Sequence, residues 1–285
     1  MRRQVTDSMR SKSRLSLKLT DRDLEFLVES ASPEVTDKTR LKRIIDEDED
    51  FRNTFISDER VFRRVMDDKE IFLKISPALF FEILLRKAAK DLQRERYTVE
   101  KSGTSKIPIF DTEDIMDLMS NESLVTYLAD MLSSFIKTRS YRLSFRAKPG
   151  VWKKITFSDL DIHTLRAFSD AVSDAHRLRF YKRIADICLF ILGIFPEYAE
   201  REYRYPFSGQ LRPPIQSKLR ISPQEYEEEG KKFYRLAAEH EQTRNPTLAD
   251  VFWALHGNFR VATKPLNVIS ERYLSYRKER VFGKG

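Results

Sequence analysis

Along most of this chain the hydrophobic positions recur every three to four residues, the spacing that lines one face of an α-helix. Leu79, Phe80, Ile83 and Leu84 follow Ser76-Pro77 in this way, and that pair predicts a helix start, because the first helical position needs no donor and suits proline. The helix should run to about Arg96. Thr20 with Asp23 predicts an earlier start, "TRLKRIIDEDEDFRNTF" a second helical stretch, and Ser57 the cap of a third. Gly103 and Pro108 mark a loop. Asp111 with Asp114, and then Asn121, open two more helices, the latter rich in Leu124, Val125, Leu128, Met131, Leu132 and Phe135. Ser158 with Asp161 predicts a helix to about His176, a strongly apolar helix follows, and Ser222-Pro223 with Glu225 starts the first of three closing helices.

In one stretch the period changes to two. Within "SYRLSFRAKPGVWKKITFSD", Tyr141, Leu143 and Phe145 alternate with Arg142, Ser144 and Arg146, and after Lys148-Pro149-Gly150 a second run places Val151, Lys153, Ile155 and Phe157 on one side. Two alternating runs joined by Pro-Gly predict a β-hairpin. The fold class expected is therefore mainly α, a multi-helix bundle with a single β-hairpin near the middle of the chain. Its organisation reads as a flexible basic arm over 1–19, an N-terminal helical region over 20–138, the basic hairpin over 139–157, and a C-terminal helical region over 158–285 with a proline-rich connector at 196–223.

The most apolar segment, "ICLFILGIFPEY", is too short for a membrane. Its apolar run lasts nine residues from Ile187 to Phe195, where a span needs roughly 20. Extending it backward would carry Lys182, Arg183 and Asp186 into hydrocarbon at about 2.5 to 3.5 kcal/mol each. A helix buried by protein is the better reading, with Asp186 paired to Lys182 or Arg183 one turn earlier. The opening "MRRQVTDSMRSKSR" has no apolar segment and is not a signal peptide. A soluble, cytoplasmic protein is expected, with no membrane partner.

Composition sharpens what chemistry is open to the chain. Its eight glycines sit at positions where neither a phosphate-cradling Walker loop nor a dinucleotide fingerprint can be written. Cys188 is the sole cysteine, which excludes an internal disulfide framework and a multi-cysteine zinc site, and it lies inside the buried run. None of the four histidines has an acid three residues before it, so the Glu-x-x-His pair of di-iron bundles is absent. His240 and His256, beside Phe233 and Phe259, read as packed histidines. At 100° per residue, Asp159, His163, Asp170 and Asp174 share one helical sector and are the candidate ligands for a divalent ion, although a solvated polar face has the same pattern. No cofactor is expected.

Charge gives the better lead. Charged residues make up 34% of the 285-residue chain and the net charge is +8, against about 25% charged in an average domain. The excess is gathered. No acid lies between Asp130 and Asp159, while Arg139, Arg142, Arg146, Lys148, Lys153 and Lys154 are interleaved with aromatics that include Trp152. Arg177 and Arg179 belong to a second basic run, and Arg201 and Arg204 to a third. Cations on a stiff hairpin can neutralise phosphates or carboxylates, and an exposed Trp152 can stack on a base. A winged-helix reader of DNA sequence is disfavoured, because residues 121–138 offer mainly apolar groups rather than ones that reach base edges. The function expected is non-catalytic: an α-helical interaction or scaffold protein that binds a protein partner or macromolecular assembly through a basic surface. The alternative is a nucleic-acid-associated protein, for RNA or non-specific DNA, and a lesser one is a metal-dependent enzyme.

Overall fold

A computed structural model describes residues 14–102, 105–109, 111–136, 140–148, 151–158, 161–199 and 221–282, with the strand residues 99–102, 105–108, 140–148 and 151–158 described by their backbone. Two of its helix starts meet at one carboxylate. Asp23 closes helix α1 (Asp21–Ala31) in a reciprocal box, its N–H donating to Thr20 Oγ1 while its Oδ2 accepts from Thr20 N–H. Asp23 is fully buried, and its Oδ1 accepts at 2.7 Å from the N–H of Ser76, the N-cap of α6 (Pro77–Glu95). Each helix end turns an otherwise unsatisfied donor toward it.

Between these anchors the chain makes four short helices, α2 (Lys38–Glu47), α3 (Glu49–Ile56), α4 (Glu59–Asp67) and α5 (Ile71–Lys74). The single stretch expected over 39–55 is two helices, because the Asp48 side chain accepts from Phe51 N–H and starts a new one. Asp58, not Ser57, caps α4. The arm expected over 1–19 is not free to its end: residues 14–19, in neither helix nor strand, lie against the body, where Leu17 is buried and Leu15 and Leu19 pack half-buried on the core.

After α6 come strands β1 (Thr98–Ser102) and β2 (Ser105–Ile109), helices α7 (Thr112–Met119) and α8 (Glu122–Ser134), then strands β3 (Ser140–Lys148) and β4 (Val151–Ser158). The fold is mainly helical, but the expected single hairpin is corrected: the backbone pairs in two separate two-stranded antiparallel ladders. Gly103 and Pro108 had marked a loop, yet Pro108 stands opposite Val99 in the first ladder. A two-stranded ladder has only edges, and an edge tolerates a residue with no N–H. The Pro149-Gly150 turn lies outside the described residues.

Helices α9 (Ile162–Ala171), α10 (Arg177–Ile194), α11 (Pro223–Glu239), α12 (Pro246–Gly257), α13 (Phe259–Val268) and α14 (Lys278–Phe282) complete the chain, with a π-helical turn at Ile269–Tyr273. Asp161 rather than Ser158 caps α9, and a 3-10 turn at Asp174–His176 separates it from α10. Ser222 and Glu225 form the predicted box at α11. The connector falls largely outside the described residues. α10 is the central beam: buried from Ile184 to Ile191, it packs on α9, α11 and α13. Gly230 lets α11 come close to α13, since a Cβ there would lie 2.3 Å from the Phe259 ring, and Gly193 lets α10 come close to α13, since one there would lie 2.6 Å from Leu266. The last carbonyls of α10 are satisfied across that contact by Asn267 Nδ2, which donates to Leu192 O and Gly193 O, and by Ser270 Oγ, which donates to Ile194 O. One buried cluster extends from Leu17 to Phe282, so the two helical halves share a core. Phe282 closes it, lying against Phe81 of α6 and Phe190 of α10.

Candidate interaction surface

The β3–β4 ladder places the predicted basic residues by register. Arg142 pairs with Thr156, Ser144 with Lys154 and Arg146 with Trp152, and directly opposed positions of an antiparallel pair share a face. These six positions form one face of the ribbon. The other holds Tyr141, Leu143 and Phe145 opposite Phe157, Ile155 and Lys153. Lys148 stands opposite Val151, past a register shift at Arg146/Lys148. Arg139, Arg201 and Arg204 lie outside the described residues, as does Asp159.

The second basic run is largely engaged within the protein. Arg177 Nε donates to Val172 O, and its guanidinium lies 3.4 Å from Asp174. Lys182 Nζ donates at 2.6 Å to Asp186 Oδ2. Arg183 sits 4.1 Å over the Phe135 ring and donates to Ser134 Oγ. Arg179 is exposed and leans over the Phe180 ring. Of the predicted cations with described side chains, Arg179 is the one turned to solvent.

Behind this run lies a polar node. Asp186 is 1% exposed, and its Oδ1 accepts from Tyr127 Oη at 2.5 Å and from Tyr234 Oη at 3.0 Å. Lys182, which completes it, also lies 4.8 Å over the Tyr127 ring. The node joins α8, α10 and α11 and leaves neither Asp186 oxygen bare. Burial and the adjacent carboxylate push both tyrosines far above their ordinary range, so they remain donors. Sequence spacing offers Lys182 or Arg183 as the partner of Asp186, and Lys182 takes the role; the two tyrosines, 59 and 48 residues away, have no local signal.

A second node centres on Arg86, which donates to Glu82 Oε1, to both oxygens of Glu122 and to Asn53 Oδ1. Glu82 Oε2 is buried without a partner. Burial raises the Glu82 pKa from its ordinary value, opposed by Arg86 and reinforced by Glu122, which shares the same guanidinium. The Asp186 node is buried within the protein, whereas Glu122 of the Arg86 node borders an open cleft at the start of α8.

The candidate metal face is not assembled. Asp170 and Asp174 are exposed, Asp174 is engaged by Arg177 and His240, and no metal-binding group of three or more such residues occurs among the described residues. His163 Nε2 is buried and lacks a hydrogen-bond partner. His240 accepts from Gln242 N–H at Nδ1, which leaves its Nε2–H to donate to Asp174 O, and His256 Nδ1 donates to Lys231 O. Cys188 is buried, and burial raises its thiol pKa well above the ordinary range. Two open clefts, of about 320 and 450 Å³, lie beside the N-termini of α8 and α6. No described helix is long and apolar enough to cross a membrane.

Comparison with protein-family models, with curated proteins and with solved structures finds no match to this chain. The residues must therefore carry the functional reading.

Proposed function

We propose that the chain acts by binding rather than by turnover, and that the ribbon face bearing Arg142, Arg146, Trp152 and Lys154 engages an acidic protein partner or assembly. The observation that carries this reading is the cross-strand register, which sets three cations and a tryptophan at neighbouring positions of one face. Aromatic and arginine side chains together are the usual anchors of a protein interface. The engagement of Arg177 and Lys182 by Asp174 and Asp186 supports the ribbon, rather than the start of α10, as the surface.

The test is fluorescence anisotropy with a labelled poly-glutamate peptide, comparing the full chain with an R142E/R146E/K154E variant. Binding abolished in the variant supports the reading; equal binding, or none by the natural chain, sinks it. Association with single-stranded nucleic acid is the second reading, favoured by Arg146 and Trp152 standing directly opposite each other. A uridine oligomer should then quench Trp152 in a W253F background. Its log affinity should fall against log salt with a slope of about −2 for three neutralised phosphates.

A further inference from the structure

We infer that the outer edge of β3 takes up a third strand from a partner protein, a strand in which acidic and apolar residues alternate. The inference rests on the ribbon reading above and adds how the partner binds and what its sequence contains. Among the described residues the β3–β4 sheet has two strands and no more. Each strand is therefore paired along one side and carries unpaired main-chain donors and acceptors along the other. Two strands alone are marginally stable in water, and a third is what gives such a sheet independent stability.

β3 offers the longest of these edges. β1 and β2 are five residues each, and β2 holds Pro108, which has no N–H to give. β4 carries Lys153 and Lys154 at adjacent positions, and lysine is the residue that most often keeps other strands off an edge. β3 runs nine residues without proline, its lysine comes last, and the register shift falls past Arg146. Register then sets the partner's sequence, because a strand laid beside β3 shares its two faces position by position. Neighbours of Arg142, Ser144 and Arg146 fall on the basic face, and neighbours of Tyr141, Leu143 and Phe145 on the other. Opposite charges on adjacent strands stabilise and like charges destabilise, so acids belong at the first set and apolar residues at the second. A second copy's β3 would bring further arginines onto the same face, which disfavours a pair of copies. In strand addition of this kind, main-chain hydrogen bonds supply affinity and alternate side chains specificity.

The probe is a fluorescent peptide of sequence EVEVEV, titrated into the full chain beside the peptide EEEVVV of equal charge. The alternating peptide should bind about tenfold more tightly and slow amide hydrogen exchange over residues 140–146. Equal binding of the two overturns strand addition while leaving a surface that reads charge alone, and protection confined to residues 151–158 overturns the choice of β3. Binding of poly-glutamate but of neither short peptide sinks the inference and spares the ribbon reading; no binding of any of the three sinks both. An R142E/R146E variant should prefer KVKVKV over EVEVEV, and an unchanged preference refutes the pairing. A dimer of the natural chain that the alternating peptide dissolves assigns the edge to a second copy and overturns the proposal.

Discussion

Replacing Gly230 by alanine should destabilise the protein although alanine is the better helix former. Gly230 is buried in the middle of α11, where the helix preference alone favours alanine by about 1 kcal/mol. The added Cβ would stand 2.3 Å from Cε2 and Cζ of Phe259 and 3.1 Å from Cys188 Cβ. No real carbon tolerates the first distance, and the Phe259 ring is fully buried beside Tyr234, so it cannot swing aside into solvent. Overpacking costs about 1 to 3 kcal/mol and sometimes more, and two ring carbons at 2.3 Å call for the upper part of that range, so it exceeds the propensity gain. Gly257 is the internal control. It ends α12 with nothing within 4 Å of a built Cβ, so alanine there should be neutral or stabilising by a few tenths of a kcal/mol. Urea unfolding by circular dichroism measures both: G230A should lower the midpoint at unchanged slope and G257A should not. Adding F259L to G230A should recover part of the loss. A G230A protein as stable as the natural one, or a G257A protein more damaged than it, would refute the packing argument.

Two further outcomes rest on single positions. Arg96 ends α6 in the left-handed region at φ 60°, so R96G should raise stability by about 0.5 to 1 kcal/mol in the same assay; destabilisation would mean that the Arg96 side chain contributes more than its backbone strain costs. Burial raises the Glu82 pKa in the folded protein, so between its ordinary value and the raised one the folded state keeps a proton that the unfolded chain has lost. Its contribution therefore falls as pH rises through the interval, and E82Q should flatten the pH dependence of unfolding free energy there; parallel curves would show that Glu82 does not titrate there.

Legibility followed the range of the interaction. The starts at Thr20, Ser76, Asn121 and Ser222 were readable because each cap bonds a residue two or three positions on. The break at Asp48 was hidden, since the apolar spacing of Leu41, Ile44 and Ile45 continues into Phe51 and Phe55 as though one helix ran through. Gly103 and Pro108 are ambiguous in principle, serving a loop and an edge ladder equally. A pairing of Asp186 with a cation one helical turn earlier, Lys182 or Arg183, was visible, whereas Tyr127, Tyr234 and the sharing of Asp23 by two helices depend on tertiary contact. Residues 14–19 read as an arm from their charge, because leucines at every second position give no helical signal and the groups that hold them, Arg52 and Ser123, come 35 and 108 residues away.

The same reasoning limits what the basic composition says about partners. With eight glycines in the whole chain, few helices can end in a left-handed glycine, and other side chains supply the missing donors. Arg52 caps the end of α2 through Ile45 O and Asp46 O, Lys90 donates to Ser57 O after α3, and Arg277 donates to Met66 O in α4. Arg64, Lys87, Lys182, Arg183 and Lys278 each lie over an aromatic ring at the margin of the core, covering apolar surface with their stems. Such cations still add to the net charge of +8 and to long-range attraction of an anion. They are not free to swing onto a phosphate or carboxylate without uncapping a helix or uncovering a ring. The steepness with which salt weakens a bound anionic partner therefore counts only the cations that touch it, and a slope matching the ribbon face rather than the total charge is what separates a docking surface from a merely basic protein.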